Sequence, residues 1–423
     1  MVQRQLYHYL SSNHLLSPSQ HGFRPRHSTE TALVTVADQI LTAADGGEIS
    51  LLCLIDLSKC FDVINHDLLL RKLVLHDIDS RWFHEYLIGH TQSVALRDST
   101  GNVRVSPSLP NTMGVFQGSA LGPLLFTVFA NDLSLFATGA CVVPYADDTQ
   151  VIVSGTKSEL PSLITKMETS LASLDKWFRA NALKVNASKT QLIAFGNRQN
   201  MRNIPNFDVA FRDTSLVPCT EVKNLGVLFD TNLSWDNHVG AVSRRCNGML
   251  IGLSQARHML PHQTISMLVS ALVLSQVNYC ASVYGNGTKK NMDRIQKILN
   301  FAAKVIFGRK KFDHVSDLRE KLGWLPAQLM ADHSTLCLTH KVLEAKEPES
   351  LAAVLRYNRD SRQRTTRQDD LLYVPRSRTE AGKRRFCSRA PALYNAVPAD
   401  LTAMSQRQYS RAIKRRMLTS AAT

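Results

Sequence analysis

The chain has 423 residues, 44% of them hydrophobic and 20% charged, with a formal net charge of +15 at pH 7. Those are ordinary globular values, and the length allows two or three domains with ample core. With no signal peptide and no run of about 18 apolar residues, secretion and membrane insertion are not expected. Eight scattered cysteines, without a C-x-x-C pair or a Cys/His spacing suited to zinc, suggest a reducing intracellular compartment. The charge is uneven: residues 1–200 hold 16 Lys and Arg against 17 Asp and Glu, while residues 201–423 hold 34 against 18. A near-neutral half joined to a basic half suits an enzyme that grips a polyanion; a solvated basic surface is the plainer alternative.

In chain order, a helical stretch is expected over 2–16, starting with no cap or leader before it, as a fragment or truncated reading frame would. The apolar run Leu51–Ile55 predicts a buried strand ending at Asp56, an acid placed either to face a ligand or to cap the next helix. Glycines 114, 118 and 122 allow close backbone approach, and Ser119 with Pro123 suits the start of a buried helix running to about Phe136. Val142–Tyr145 and Thr149–Val153 read as two strands joined by a tight turn. Cys53 and Cys141 are expected in the core of their strands.

Thr156-Lys157-Ser158-Glu159 is a capping box opening a helix with Leu160, Leu163, Met167, Leu171, Leu174, Trp177 and Phe178 at helical spacing, stopped near Asn181. Short strands follow at Leu183–Val185 and Gln191–Phe195, with a pair around Val222–Phe229. Beyond about His238 the pattern turns helical and basic. Along 291–307 an apolar face is flanked by Lys290, Arg294 and Lys297, which suits either solvation or contact with phosphates. Residues 355–390, Arg-rich and poorly periodic, read as an exposed or partly disordered connection. Lys383-Arg384-Arg385 and Lys414-Arg415-Arg416 are weak candidates for nuclear address signals, so the expected location is nucleus, cytoplasm or both.

The chemistry concentrates in Asp147 and Asp148, adjacent acids at the tip of an apolar hairpin, together with Asp56. Adjacent carboxylates repel each other unless a cation sits beside them. Three carboxylates on neighbouring strand ends can hold two divalent ions, an arrangement used for in-line nucleotidyl transfer. The blocks G-F-R-P-R-H-S-T at 22–29, L-I-D-L-S-K-C-F-D at 54–62, G-V-F-Q-G-S-A-L-G-P-L-L-F at 114–126, Y-A-D-D at 145–148, L-K-V-N-A-S-K-T at 183–190 and V-K-N-L-G-V-L-F-D at 222–230 occur in this order. Together they closely resemble the reverse transcriptases of non-LTR (LINE-type) retrotransposons, over residues 1 to about 307. The resemblance extends to A-P-A-L-Y-N-A-V-P at 390–398.

The resemblance implies an α+β right-hand polymerase of fingers, palm and thumb, with an antiparallel palm sheet, followed by a mainly helical basic C-terminal region. It divides the chain into truncated fingers and palm (1–235), a helical thumb (236–312) and a basic region of unknown role (313–423). The family's endonuclease and first fingers segment are not found. The implied activity is RNA-directed DNA polymerisation with two Mg²⁺ ions, for which Mn²⁺ can substitute; the partners are an RNA template, a DNA primer and deoxynucleoside triphosphates. A catalytically impaired nucleic-acid-binding relic is the alternative.

Asp56, Asp147 and Asp148 match the metal ligands, and Lys189 a lysine near the departing pyrophosphate. Leu57, Phe61, Gln117, Gly118 and Arg24 match positions at the incoming nucleotide; Phe61 corresponds to the aromatic that excludes a ribose 2′-hydroxyl, with a core role as the alternative. Tyr145, Leu225, Gly226, Lys290, Arg294 and Lys297 are the implied nucleic-acid contacts. Phe116 stands where the family usually has proline, and Cys60 where it usually has alanine.

Overall fold

The computed structural model describes residues 1–202, 204–310, 312–361 and 368–422. Five strands form the main sheet in the order Pro218–Cys219, Gln191–Phe195, Ile49–Ile55, Asp148–Gly155, Cys141–Tyr145. Every pairing is antiparallel except that of the short Pro218–Cys219 edge. The central strand Ile49–Ile55 is apolar almost throughout because both faces of the sheet are covered. Its alternate residues serve two cores. Leu51, Cys53 and Ile55 pack with the helices Gly122–Phe129 and Leu160–Ala180, whereas Leu52 packs with the helix Thr29–Asp45 and with helices of the second half.

The expected boundaries hold closely for most elements. The capping box forms, with the Glu159 carboxylate accepting from Thr156 N at 2.9 Å, and the helix ends at Asn181, whose side chain donates to the Trp177 carbonyl at 2.9 Å. The first helix is shorter than expected, Val2–Ser12. The helix expected to reach Phe136 stops at Phe129 and resumes as a 3₁₀ turn, Leu133–Phe136. The break is made by side chains. Asn131 accepts from Ser17 N and donates to the Leu15 carbonyl, both at 2.7 Å, and Lys72 Nζ reaches Asp132 at 2.8 Å and the Phe129 carbonyl at 2.7 Å.

The second half is helical. Asp236–Ala256 and Lys289–Phe307 pack against each other beside the hairpin Glu221–Asn224/Val227–Asp230, and Ala327–Ala345 carries the closing helix Gln406–Ala422. Of the 355–390 stretch, residues 362–367 lie outside the described residues. The part from Arg378 on is not an exposed connection. Asp45 accepts from Arg378 N (3.0 Å), Thr379 N (2.8 Å) and the Thr379 hydroxyl (2.8 Å), and the buried Arg385 lies 3.4 Å from the same carboxylate. These bonds hold the Asp45 carboxyl below its ordinary range despite burial.

Cys387 N donates to Asp38 at 2.9 Å, and Arg384 is held by the carbonyls of Asn286 and Leu233. Of the arginines that look like a solvated run, Arg385 therefore ties this segment to the helix Thr29–Asp45, and Arg384 ties it to the chain at Leu233 and Asn286. As a result Lys383-Arg384-Arg385 is not an accessible cluster, whereas Lys414, Arg415 and Arg416 are exposed. Cys53 is buried as expected; Cys141 is exposed, because it lies at the open end of the outermost strand of the sheet, where it accepts from Gln39 at 3.2 Å. All eight cysteines are free. Among the described residues, no helix is long and apolar enough to cross a membrane.

Candidate active site

Strand register brings the three acids together. Ile55 pairs with Thr149 and Tyr145 with Asp148, so Asp56, one residue beyond Ile55, comes level with Asp148 across the antiparallel pair. Ala146 and Asp147 form the two-residue turn between Tyr145 and Asp148. The electrostatics agree: desolvation of the carboxyl by its surroundings, then Asp147, then Asp56 push Asp148 up from 3.8 to about 6, even though its side chain still meets solvent. A carboxyl raised by two like charges marks a position where a bound cation would be favoured.

Among the described residues no group of three or more His, Cys, Asp or Glu side chains is gathered closely enough to enclose an ion. Magnesium does not need such a cage. It commonly takes one or two carboxylates and completes its shell with water and substrate phosphates, so the all-oxygen set Asp56, Asp147 and Asp148 fits it.

The surrounding blocks fold onto this corner. Beyond Asp56 the chain pairs again, Leu57 with Val185 and Ser58 with Lys184, and Asn186 N donates to the Asp56 carbonyl at 2.8 Å. The turn 186–190 is thereby pinned beside Asp56 and carries Lys189 as an exposed ammonium. Phe61 is half-buried, stacked on Phe126 with centroids 4.4 Å apart and edge-on to Phe23 at 5.8 Å. The glycine block lies across the same loop: Gly114 N donates to the Ile64 carbonyl at 2.7 Å, and Val115 N to the Phe61 carbonyl at 2.8 Å. A Cβ on Gly114 would meet the Asp62 carbonyl oxygen at 2.7 Å, so only glycine fits there. Gln117 donates to Asp62 at 2.7 Å, while Gly118, at φ +83°, faces open space.

Leu225 and Gly226, both at positive φ, form the tip of the hairpin 221–230; the Tyr279 hydroxyl donates to the Leu225 carbonyl at 2.7 Å. Asn224, buried in that hairpin, donates to Gln150 on the strand of Asp148 at 2.6 Å. Lys290, Arg294 and Lys297 are not at the carboxylates. They stand along the helix Lys289–Phe307, where Arg294 and Lys297 join Arg244 in lining a cavity of about 640 Å³. The Arg24 guanidinium donates to the carbonyls of Ser17 and Gln20. Gln20, Asn131 and the contact of the buried Cys60 thiol with Asp147 were not singled out from sequence. No residue type announces them, because each acts through tertiary neighbours.

Residues 1–229 match the family model described as reverse transcriptase (RNA-dependent DNA polymerase). The chain belongs to the reverse transcriptase family. The resemblance to LINE-type elements is borne out by curated relatives. One is the probable RNA-directed DNA polymerase from transposon BS of Drosophila melanogaster, 28% identical over 324 residues, covering 72% of this chain and 34% of the relative. Another is the RNA-directed DNA polymerase from mobile element jockey of the same species, 23% identical over 327 residues, with 72% and 33% covered. This reverse transcriptase chain thus spans about a third of the length of those relatives.

Solved structures similar to it include the telomerase of Candida albicans in complex with a fragment of telomeric RNA, at 13% identity and TM-score 0.35, covering 83% of this chain and 57% of that one. The apo telomerase of Candida tropicalis matches at 10% identity and TM-score 0.36, with 83% and 60% covered.

Proposed function

We propose that this chain is the polymerase core of a LINE-type retroelement protein, extending a DNA primer along an RNA template by nucleotidyl transfer from deoxynucleoside triphosphates. The observation that carries the proposal is the meeting of Asp56, Asp147 and Asp148 at one sheet corner, within a chain of this family. We assign the five-stranded sheet with its flanking helices to the palm, residues up to about 235 to palm and fingers, 236–312 to the thumb, and 313–423 to a C-terminal region packed back on the palm.

Asp56 and Asp147 would be the principal ligands of two Mg²⁺ ions, with Asp148 completing the set; ions held there would lower the pKa of the primer 3′-hydroxyl and neutralise charge on the triphosphate. The chain's own residues supply the rest. Phe61, with its neighbour Leu57, forms the floor under the nucleotide sugar, braced by Phe126, where a 2′-hydroxyl would meet the ring. The open backbone at Gln117–Gly118 lies where a base pair can approach. Lys189, exposed on the turn pinned beside Asp56, would give a proton to the leaving pyrophosphate.

Tyr145 and the Leu225–Gly226 tip would guide the primer end, and Lys290, Arg294 and Lys297 the phosphates of the duplex. Arg24, committed to backbone carbonyls, is given a fold-holding role instead. An intracellular site of action, in nucleus or cytoplasm, goes with these partners. The test is primer extension: purified protein with Mg²⁺, an RNA template and an annealed DNA primer should incorporate deoxynucleotides. A protein that binds the duplex but never extends it would be a binding relic.

A further inference from the structure

The turn bearing the acids is held from beneath by a segment with no regular structure. Gln20 is 2% exposed, and its Oε1 accepts from two backbone groups, Gly22 N at 2.7 Å and Ala146 N at 3.0 Å. Because both partners are donors, the amide orientation is fixed, and Nε2 is left toward the Ala146 carbonyl at 3.5 Å. His21 N donates to the Pro144 carbonyl at 2.9 Å, continuing the contact along the strand. Gly22 lies so close that an added Cβ would stand 2.2 Å from Ala146 N.

Ala146 needs support. It adopts φ +54°, a conformation that L-residues avoid, and it immediately precedes Asp147. In a free two-residue hairpin that position favours glycine or asparagine.

We infer that Gln20 is a positioning residue for catalysis: its side-chain oxygen holds the left-handed Ala146 backbone, and so sets where Asp147 and Asp148 present their carboxylates. Gln20 does not touch substrate. It acts through the turn, and the inference rests on the polymerase reading for its catalytic consequence only. A displacement of about 1 Å at a reacting centre can cost on the order of 100-fold in rate.

The test uses Gln20→Met, which keeps volume but loses the acceptor, Gln20→Asn, which keeps the amide but is one methylene short, and Gln20→Glu, which keeps an acceptor oxygen. Two readouts are taken on the full chain. In primer extension, Gln20→Met and Gln20→Asn should lower kcat at least tenfold per folded molecule and raise the Mg²⁺ concentration for half-maximal rate. The Kd for primer–template should stay within about twofold of wild type, and Gln20→Glu should recover part of the rate. In hydrogen exchange, the Ala146 amide should exchange at least tenfold faster in the Met and Asn variants.

If Gln20→Met fails to fold, Gln20→Asn decides alone. Wild-type kcat and Mg²⁺ response in the folded variants, or unchanged exchange at Ala146, would overturn the inference. A wild-type protein that never extends a primer would refute the polymerase reading instead, and the exchange measurement would still judge the brace.

Discussion

Replacing Asp148 by Asn should stabilise the metal-free protein at neutral pH. The carboxyl is raised from 3.8 to about 6 by burial and by the charges of Asp147 and Asp56. A shift of about two units corresponds to ~3 kcal/mol of unfavourable energy for the charged form. Part of the side chain meets solvent, so screening reduces this to about 1–2 kcal/mol. The sign follows from proton linkage: between about pH 4 and 6 the folded state binds more protons at this site than the unfolded chain does. The wild-type protein therefore loses stability as pH rises through that window, and the full penalty is present above it.

The substituted amide carries no charge, so the Asp148→Asn variant should unfold a few degrees higher than wild type in EDTA at pH 7.5, and the difference should vanish below about pH 4. Added Mg²⁺ should stabilise wild type more than the variant and narrow the gap, since a cation relieves the repulsion. Thermal unfolding followed by circular dichroism at three pH values, with and without Mg²⁺, measures all of this. A variant no more stable than wild type in EDTA at pH 7.5 would show that the three acids do not repel one another, and the electrostatic case for a cation at this corner would fall.

Phe61→Ala should cost about 1–3 kcal/mol, less than a fully buried ring, through the lost stacking on Phe126, and should raise ribonucleotide incorporation relative to deoxynucleotide in paired kinetic assays. Arg385→Ala removes the counter-charge of the buried Asp45 carboxylate but leaves its bonds from Arg378 and Thr379, and should cost about 1–3 kcal/mol, read as a lower unfolding temperature. Asp45→Asn with Arg385→Ala should recover part of that loss. Neutralising Lys290, Arg294 and Lys297 together should flatten the dependence of duplex affinity on log salt by up to about three units, roughly one per phosphate contact. An unchanged salt slope would remove that helix from the nucleic-acid path.

The hydrophobic runs were legible because the sheet is covered on both faces: strand 49–55 is apolar at every position but Ser50, and strand 148–155 carries the buried apolar run Val151–Val153. The capping box at Thr156 and the stop at Asn181 are local chemistry, so they too could be read directly. Spacing alone did not reveal where long-range partners override local preference. The break after Phe129 comes from Asn131 bonding to residues more than a hundred positions away, and nothing in a continuous apolar helix pattern signals that.

The arginines at 384, 385 and 389 failed as a surface run because their partners, including Asp45 and Asp332, lie far off in sequence. Of the candidate site, the three acids were visible as residue types at strand ends, and Phe61 only through the resemblance of its block to the family. Gln20 was not, because glutamine in a loop is usually a solvated residue, and its role exists only through the Ala146 backbone it meets.

Everything proposed for the site requires that Asp56 and Asp147, one beyond the end of the central strand and the other in the hairpin turn, serve one metal-dependent reaction. Single-turnover incorporation of one deoxynucleotide on a primed RNA template, at saturating Mg²⁺, tests this for wild type, Asp56→Asn and Asp147→Asn, with primer–template binding measured in parallel. Each variant should bind the duplex as wild type does and lose incorporation by at least a thousandfold, with the double variant no worse than either single one. Incorporation persisting in either variant at near wild-type rate would place the chemistry elsewhere in the molecule.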